Sequence, residues 1–403
     1  MIYIFFFIIL LNNYFTIEEY ITKKNFKRSV DKINNFPINF PEISDSKINS
    51  RKKRKIITTT NSKWPLIIYY YFKPPINSIA IHNVFKIIEK ETCLKFRKRK
   101  SLLFLLPGIH YKYTGNCSSA IGNIHKNVWQ DIEIGPRCNN FEGILHETLH
   151  ALGLYHEQCR FDRDFFVQIY KQYMLKNETA SCKKHTANEG FHYHLSYDYG
   201  SIMHGAVNAF AIGNKKTIIP TDTFYEGTMG QTQRLSFIDI KALNLHYCAH
   251  PNCPFQRRCY NYGYQDPHHC HLCKCIDGFI GSQCEQFHKR QRNCWRTFIL
   301  PDRMPRLFIY KGIRKCIIHF IVNKTSRIKF NIVNVHMFPN TYPTCQYENT
   351  IEVKYWMDKS VTGARFCRQT ENKIILSHNN HIIFHFRSTQ RNNFVRLYYN
   401  EIF

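Results

Sequence analysis

The sequence predicts an α+β domain, then a small disulfide-held module, then a β-sandwich. Three observations carry this. Strand-like and helix-like runs share the region before residue 250 without strict alternation. Six cysteines fall between Cys253 and Cys284, among turn residues and almost no core formers. From Cys294 onward apolar and polar residues alternate. A chain of 403 residues is long enough for two or three such units.

The first segment, "MIYIFFFIILLNNYF", holds an apolar run of about ten residues, the length of a signal-peptide core and too short to span a bilayer. It lacks a basic lead and a small-x-small cleavage site; the competing readings are a buried strand or an uncleaved anchor. No later stretch is apolar and long enough to cross a membrane. Residues 17–54 are polar, rich in lysine and asparagine, and free of cysteine. They end in "RKKR", Arg51 to Arg54, which fits the R-x-K-R pattern of furin-like processing proteases. A basic run is often only a solvated surface; at the junction of a structureless lead and the first strand, cleavage after Arg54 is the better reading.

From Trp64 the texture changes. "WPLIIYYYF" is β-branched and aromatic, a strand signal. "HNVFKIIEKETCLKF" reads as a helix with Val84, Ile87 and Ile88 on its apolar face. "SLLFLLPG" and "DIEIG" read as further strands, and a histidine-bearing helix follows. Strands first and then a long helix point to α+β rather than alternating βαβ units. The cysteine-rich stretch after Cys248 is too small to hold itself without disulfides. The last segment ("RLFIYKGI", "CIIHFIVN", "IIFHFRS", "FVRLYY") reads as a sandwich and carries its cysteines in two pairs, 294/316 and 345/367.

Sixteen cysteines, none before Cys93, suit an oxidising compartment better than thiolate metal clusters, because most lack tight C-x-x-C pairing. Sequons at Asn116, Asn177 and Asn323 would be usable there. Lys and Arg number 56 against 29 Asp and Glu, a net charge of +27. Such a field favours nucleic acid, anionic membrane or sulfated polysaccharide. No helical basic stripe stands out, and Ile, Asn, Lys, Phe and Tyr are abundant throughout, so compositional drift explains the charge; nucleic acid is set aside for a secreted chain.

The chemistry lies in "HETLHALGLYHEQ". On a helix, His146 and His150 are four apart and share a face, so two imidazoles can reach one ion. Glu147 is rotated beside that face, where a carboxylate can take a proton from an attacking water. Gly153 lets the chain turn back, and His156 can then supply a third nitrogen. Three protein ligands leave Zn²⁺ an open position, as a catalytic site requires. H-E-x-x-H alone recurs by chance, but the extended H-E-x-x-H-x-x-G-x-x-H fixes ligands, base and turn together. His268, His269 and His271, among EGF-type cysteines, read as surface residues.

This motif, with "YDYGSIMH" ending at His204, resembles the astacin family of zinc metallopeptidases within the metzincins. "ETCLKF" and "IPTDTFYEGTMGQTQRLSFIDIKALNLHYC" resemble their counterparts in secreted multidomain members, and the tail resembles an EGF-like module followed by a CUB domain. The resemblance implies a two-lobed catalytic domain over residues 55–250, after a signal peptide (about 1–16) and a propeptide (17–54). An EGF-like module (251–288) and a CUB sandwich (294–403) follow. It implies that Met203 lies beneath the histidines as the Met-turn residue, and that Glu157 meets the new N-terminus after activation. It further implies the bridges Cys93–Cys248, Cys117–Cys138, Cys275–Cys284, Cys294–Cys316 and Cys345–Cys367. Cys159 and Cys182 fall outside that scheme and are left to each other.

Three departures matter. The propeptide "FPEISD" has Phe40 and Asp45 without the family's glycine or spacing, which leaves the mode of latency open. Gly205 stands where the family carries a tyrosine that reaches the scissile-carbonyl oxyanion. In the CUB-like segment only Glu348 sits near where a calcium-binding acid is expected. The expected function is that of a secreted zinc endopeptidase, made as a zymogen and cut at Arg54 by a processing protease, acting on extracellular proteins or peptides. Its substrate would lie along an edge strand of the N-terminal lobe, the strand of "DIEIG" being the candidate. The rival reading is a catalytically weak zinc protein acting through its EGF and CUB modules in adhesion or matrix binding, and only Gly205 favours it. A basic polysaccharide-binding protein rests on charge alone.

Overall fold

The computed structural model describes residues 62–403 except 103–105, 126, 177, 179–182, 187–192, 249–252 and 341–342. The leader, Phe40, Asp45, the Arg51–Arg54 run, Lys55, Asn177 and Cys182 therefore lie outside the described residues.

Strand β1 (Ile67–Phe72) consists entirely of isoleucine, tyrosine and phenylalanine, side chains that suit a pleated, half-buried surface. Helix α1 (Ser78–Glu91) is capped by Asn77, whose Oδ1 accepts from Ala80 N at 3.0 Å. Ala80, Ile81, Val84, Phe85 and Ile88 form its buried stripe. The helix thus starts at Ser78 rather than His82 and stops at Glu91. Thr92 turns extended and Cys93 is bonded to Cys248, so the residues after Leu94 enter β2 (Lys95–Lys98) instead of prolonging the helix. Ile87 is 36% exposed, off the apolar face on which it was expected.

Strands β3 (Gly108–Tyr113), β4 (Ser118–Ser119) and β5 (Trp129–Ile134) complete a sheet of order β2-β1-β3-β5-β4. The strand expected over "SLLFLLPG" is found at its far end and beyond, from Gly108. β2, β1, β3 and β5 are parallel, and only β4 runs antiparallel. One βαβ step stands within the α+β domain: β1, α1 and β2, with α1 as the crossover whose stripe joins the sheet's core. A correction concerns the edge, because β4 covers Ile132 and Glu133 of β5 and is itself the terminal strand.

Helix α2 (Phe141–Ala151) packs its buried side chains into that same core. The indole N–H of Trp64 donates to Ala151 O at 2.7 Å, pinning the lead into β1 to the end of this helix. Beyond α2 the described residues are mostly irregular, with short 3₁₀ turns and an antiparallel pair, β6 (Val167–Ile169) and β7 (Ile218–Pro220). It closes on α3 (Phe237–Tyr247), whose start is a reciprocal capping box between Ser236 and Asp239.

The next region holds two small hairpins, β8 (Tyr264–Gln265) with β9 (Cys273–Lys274) and β10 (Phe279–Ile280) with β11 (Gln286–Phe287). Bridges Cys253–Cys270, Cys259–Cys273 and Cys275–Cys284 hold it. The tail is a sandwich of two sheets. One is ordered β12 (Phe298–Ile299), β14 (Arg314–Ile321), β19 (His381–Ser388), β16 (Thr350–Lys354), β17 (Ala364–Phe366); the other β13 (Arg306–Lys311), β20 (Phe394–Ile402), β15 (Arg327–Met337), β18 (Arg368–Leu376). Cys294–Cys316 and Cys345–Cys367 are bonded within it.

The outer face of the five-stranded sheet is not solvated. Every residue of β16 is buried, including Glu352 and Lys354. Thr228 Oγ1 accepts from Arg365 N at 2.9 Å, and the Asp222 carboxylate accepts from Tyr355 at 2.5 Å and from Trp356 at 2.9 Å. Tyr197, Tyr199, Val207, Ile218 and Tyr225 share one apolar cluster with the sandwich interior. The second half of the α+β domain and the sandwich are therefore packed as one body.

Candidate metal centre

His146 and His150 project from α2 four residues apart, and the helix ends directly after them in a glycine-dependent turn. Gly153 has φ +100°. Its N–H donates to His150 O at 2.8 Å, and Leu154 N donates to Leu149 O at 3.0 Å. This is the Schellman pattern, which terminates a helix and reverses the chain at a left-handed residue. His156 is thereby returned to α2, its Nε2 3.1 Å from that of His146 and 3.2 Å from that of His150. The three ligating atoms lie within 4.8 Å of one another.

The donor set suits one small cation. Around a tetrahedral Zn²⁺ with Zn–N near 2.0–2.1 Å, ligand nitrogens stand about 3.3 Å apart. His150 Nδ1 lies 2.8 Å from Leu154 O, so it carries the ring proton and leaves Nε2 with its lone pair toward the cluster. His146 is held likewise by the backbone of Ile202. Burial lowers the basicity of both rings, in His150 reinforced by its two neighbours, which favours the neutral, ligating form. Glu147 is also buried, and loss of solvation raises its carboxyl to about 7. A cation held by the histidines would draw it down again.

Next to His146, which the Ile202 backbone holds, lies a tight turn at residues 198–204. Met203 is wholly buried, and its carbonyl accepts from Glu157 N at 3.0 Å. Asp239 fixes the turn from α3, accepting from Ser201 Oγ at 2.6 Å and from Ile202 N at 3.0 Å. Glu157 is fully buried, with Oε1 accepting from Asp198 N at 2.9 Å and from Arg160 at 3.0 Å. Arg160, 1% exposed, also makes a two-pronged contact with Asp162 at 2.9 Å on each prong and donates to the carbonyls of Leu195 and Ser196. Neither Arg160 nor Asp239 was singled out from the sequence. The signal for Asp239 was present, since Ser236-x-x-Asp239 is a capping pattern; nothing local marks Arg160.

At Gly205 the N–H donates to Gln158 Oε1 at 2.9 Å. A Cβ there would lie 3.1 Å from Ala209 Cβ, 3.2 Å from Ile218 Cδ1 and 3.3 Å from Gln158 Nε2, tighter than ordinary contact. The nearby phenols are engaged elsewhere: Tyr197 with His204 Nε2 at 2.7 Å, Tyr199 with Phe166 O at 2.5 Å. Cys93–Cys248 and Cys117–Cys138 are bonded in the structure. Cys159 is buried, and its expected partner Cys182 lies outside the described residues. His268, His269 and His271 are exposed.

Residues 56–248 match the family model for the astacin peptidases. The chain is 33% identical to the zinc metalloproteinase nas-23 of Caenorhabditis elegans over 78% of its own length and 59% of that protein's. It is 33% identical to nas-30 of the same nematode over 79% of its length and 42% of that protein's. Across the curated relatives it matches, the chain thus spans about half their length. Among solved structures, a hatching-enzyme zinc protease of the medaka Oryzias latipes, high choriolytic enzyme 1, aligns at 26% identity with a TM-score of 0.43. That alignment covers 47% of this chain and 97% of that one. With three converging histidines and a glutamate next to the first of them, the chain belongs, through residues 56–248, to the astacin family of zinc metallopeptidases.

Proposed function

We propose that this chain is a secreted zinc endopeptidase made as a zymogen, with an EGF-like module and a CUB domain behind the catalytic domain. The observation that carries the reading is the convergence of His146, His150 and His156 beside the buried carboxyl of Glu147. When bound, Zn²⁺ polarises the scissile carbonyl and makes water acidic enough to be deprotonated near neutral pH. His146, His150 and His156 would hold the ion through their imidazoles. Glu147 takes the proton from the attacking water and returns it to the departing amine. The Asp239-anchored turn, whose Ile202 backbone holds His146, would keep that ring in place when charge develops.

An extended substrate would add along β4, the antiparallel terminal strand, rather than along β5. The loop after β4 is tied to α2, with Gly122 N donating to His150 O at 2.9 Å, which would keep a strand on that edge near the histidines. Activation by cleavage after Arg54 would deliver an ammonium at Lys55 to Glu157. Glu157 already pairs there with Arg160, which also pairs with Asp162, so the ammonium would join a buried ion-pair network. Three disulfides joined first-to-third, second-to-fourth and fifth-to-sixth support the EGF-like assignment of residues 251–288. Exposed Asn116 and Asn323 would be available to glycosylation in an extracellular route.

Changing Glu147 to Ala tests the mechanism. The processed variant should retain zinc and its fold while hydrolysis disappears. Loss of zinc would make Glu147 a ligand and overturn the assignment.

A further inference from the structure

Where the outer face of the five-stranded sheet meets α3 and the cysteine-rich module lies a cavity of about 200 Å³. Its charged wall follows from strand register. Arg365 on β17 and His385 on β19 both sit directly across from Glu352 on β16. Arg387 and Lys354, each two residues on, share that face. Glu352 Oε2 accepts from Arg387 at 3.0 Å and from Arg365 at 3.3 Å, and Lys354 Nζ lies 3.9 Å from Oε1. All four side chains are buried. Three buried cations therefore share one buried carboxylate.

The rest of the wall does not restore balance. Lys274 is matched by Glu91 at 2.7 Å. That leaves Arg234, Lys354, Arg365 and Arg387 facing Asp277 and Glu352, four positive charges against two negative. Arg234 and Arg387 both stack on Tyr347, at 4.2 and 4.1 Å from its ring centre. An adjoining cavity of about 250 Å³ shares Asp277, Tyr347 and Arg387 and is also lined by His385.

His385 adds an independent sign. Arg387 Nη2 lies 3.1 Å from His385 Nδ1. A guanidinium only donates, so Nδ1 accepts and Nε2 carries the ring proton. That Nε2 is buried with no hydrogen-bond partner among the described residues. A buried donor without an acceptor and an excess of buried positive charge are both costly, and one negatively charged acceptor would relieve both.

We propose that the second cavity, between the cysteine-rich module and the sandwich, binds a tetrahedral oxyanion, sulfate or phosphate, free or as the sulfate ester of a polysaccharide, held by Arg387 and the Nε2–H of His385. The planar guanidinium matches two oxygens of such an anion, and Lys315 stands at the exposed side. The walls of this cavity come from the cysteine-rich module and the sandwich, so the bound anion ties these two together.

Isothermal titration of the full chain at constant ionic strength tests this, using sodium sulfate, sodium phosphate, a sulfated heparin disaccharide and its desulfated form. Saturable binding of an oxyanion or of the sulfated disaccharide is expected, weakened about tenfold or more in Arg387→Gln and in His385→Phe. Binding of inorganic sulfate identifies the free ion as sufficient, and binding of the sulfated disaccharide alone identifies the polysaccharide ester. Should Arg387→Gln fail to fold, Lys315→Gln, at an exposed position on the same cavity, should weaken binding several-fold with an unchanged melting temperature. The absence of saturable binding by every probe, or equal affinity in wild type and the folded variants, overturns the proposal.

Discussion

Replacing Gly205 by tyrosine, with phenylalanine as control, examines the position where the family resemblance leads one to expect a tyrosine. Either ring must be accommodated against Ala209 Cβ at 3.1 Å and Ile218 Cδ1 at 3.2 Å, so the neighbours must yield by up to 0.3 Å to reach 3.4 Å. Such overpacking typically costs about 1–3 kcal/mol, and it is common to both variants. The difference between them is one hydroxyl. If the tyrosine oxygen donates to the developing oxyanion, it contributes what one such donor contributes elsewhere, about 10²–10³ in kcat or roughly 3–4 kcal/mol. Tyr197 and Tyr199 cannot supply that bond while their hydroxyls are held by His204 and the Phe166 carbonyl. Steady-state hydrolysis of a fluorogenic peptide by processed, zinc-matched samples should therefore give a kcat ratio of Tyr to Phe near 10²–10³, with a smaller effect on KM. Equal kcat for the two variants would refute the reasoning, as would family-like rates in the natural protein.

Three further outcomes follow from buried charges and from processing. Arg160→Met should destabilise the fold by about 3–5 kcal/mol in urea titration, because it leaves Glu157 and Asp162 without their cation; a loss under about 1 kcal/mol would contradict that role. Lys359 is buried, donates to Asn379 and to the Trp356 carbonyl, and is pushed down to about 7 by burial. Unfolded, it titrates near about 10.4, so between these values the unfolded chain binds more protons and stability rises with pH. Lys359→Met should accordingly gain most over wild type below pH about 7 and lose that advantage toward pH about 10, and a difference independent of pH would contradict it. Arg54→Ala should remain less active than the processed form; equal activity would remove the zymogen reading.

The histidine site was legible because its chemistry is local. Ligands, base and turn fall within His146–His156, and a helix followed by a left-handed glycine brings them together without help from distant residues. The parallel sheet was not legible, since periodicity identified α1 as a helix but could not say that it returns the chain parallel to β1. The short edge strand β4, Ser118–Ser119, carries no hydrophobic pattern at all. Arg160 and the Glu352 cluster were missed for a related reason. Charged residues read as solvent-facing until register and an adjoining domain bury them, as happens to Glu352 and Lys354 within the run "TIEVK".

The measurement that bears most directly on the account is zinc content and peptide hydrolysis determined on one processed sample, before and after chelation. The account predicts about one zinc per chain, slow but real hydrolysis, loss of both on chelation and return of both with added Zn²⁺. A fully zinc-loaded, processed protein with no hydrolysis would contradict it and favour the matrix-binding reading, and hydrolysis that survives removal of the metal would contradict it outright.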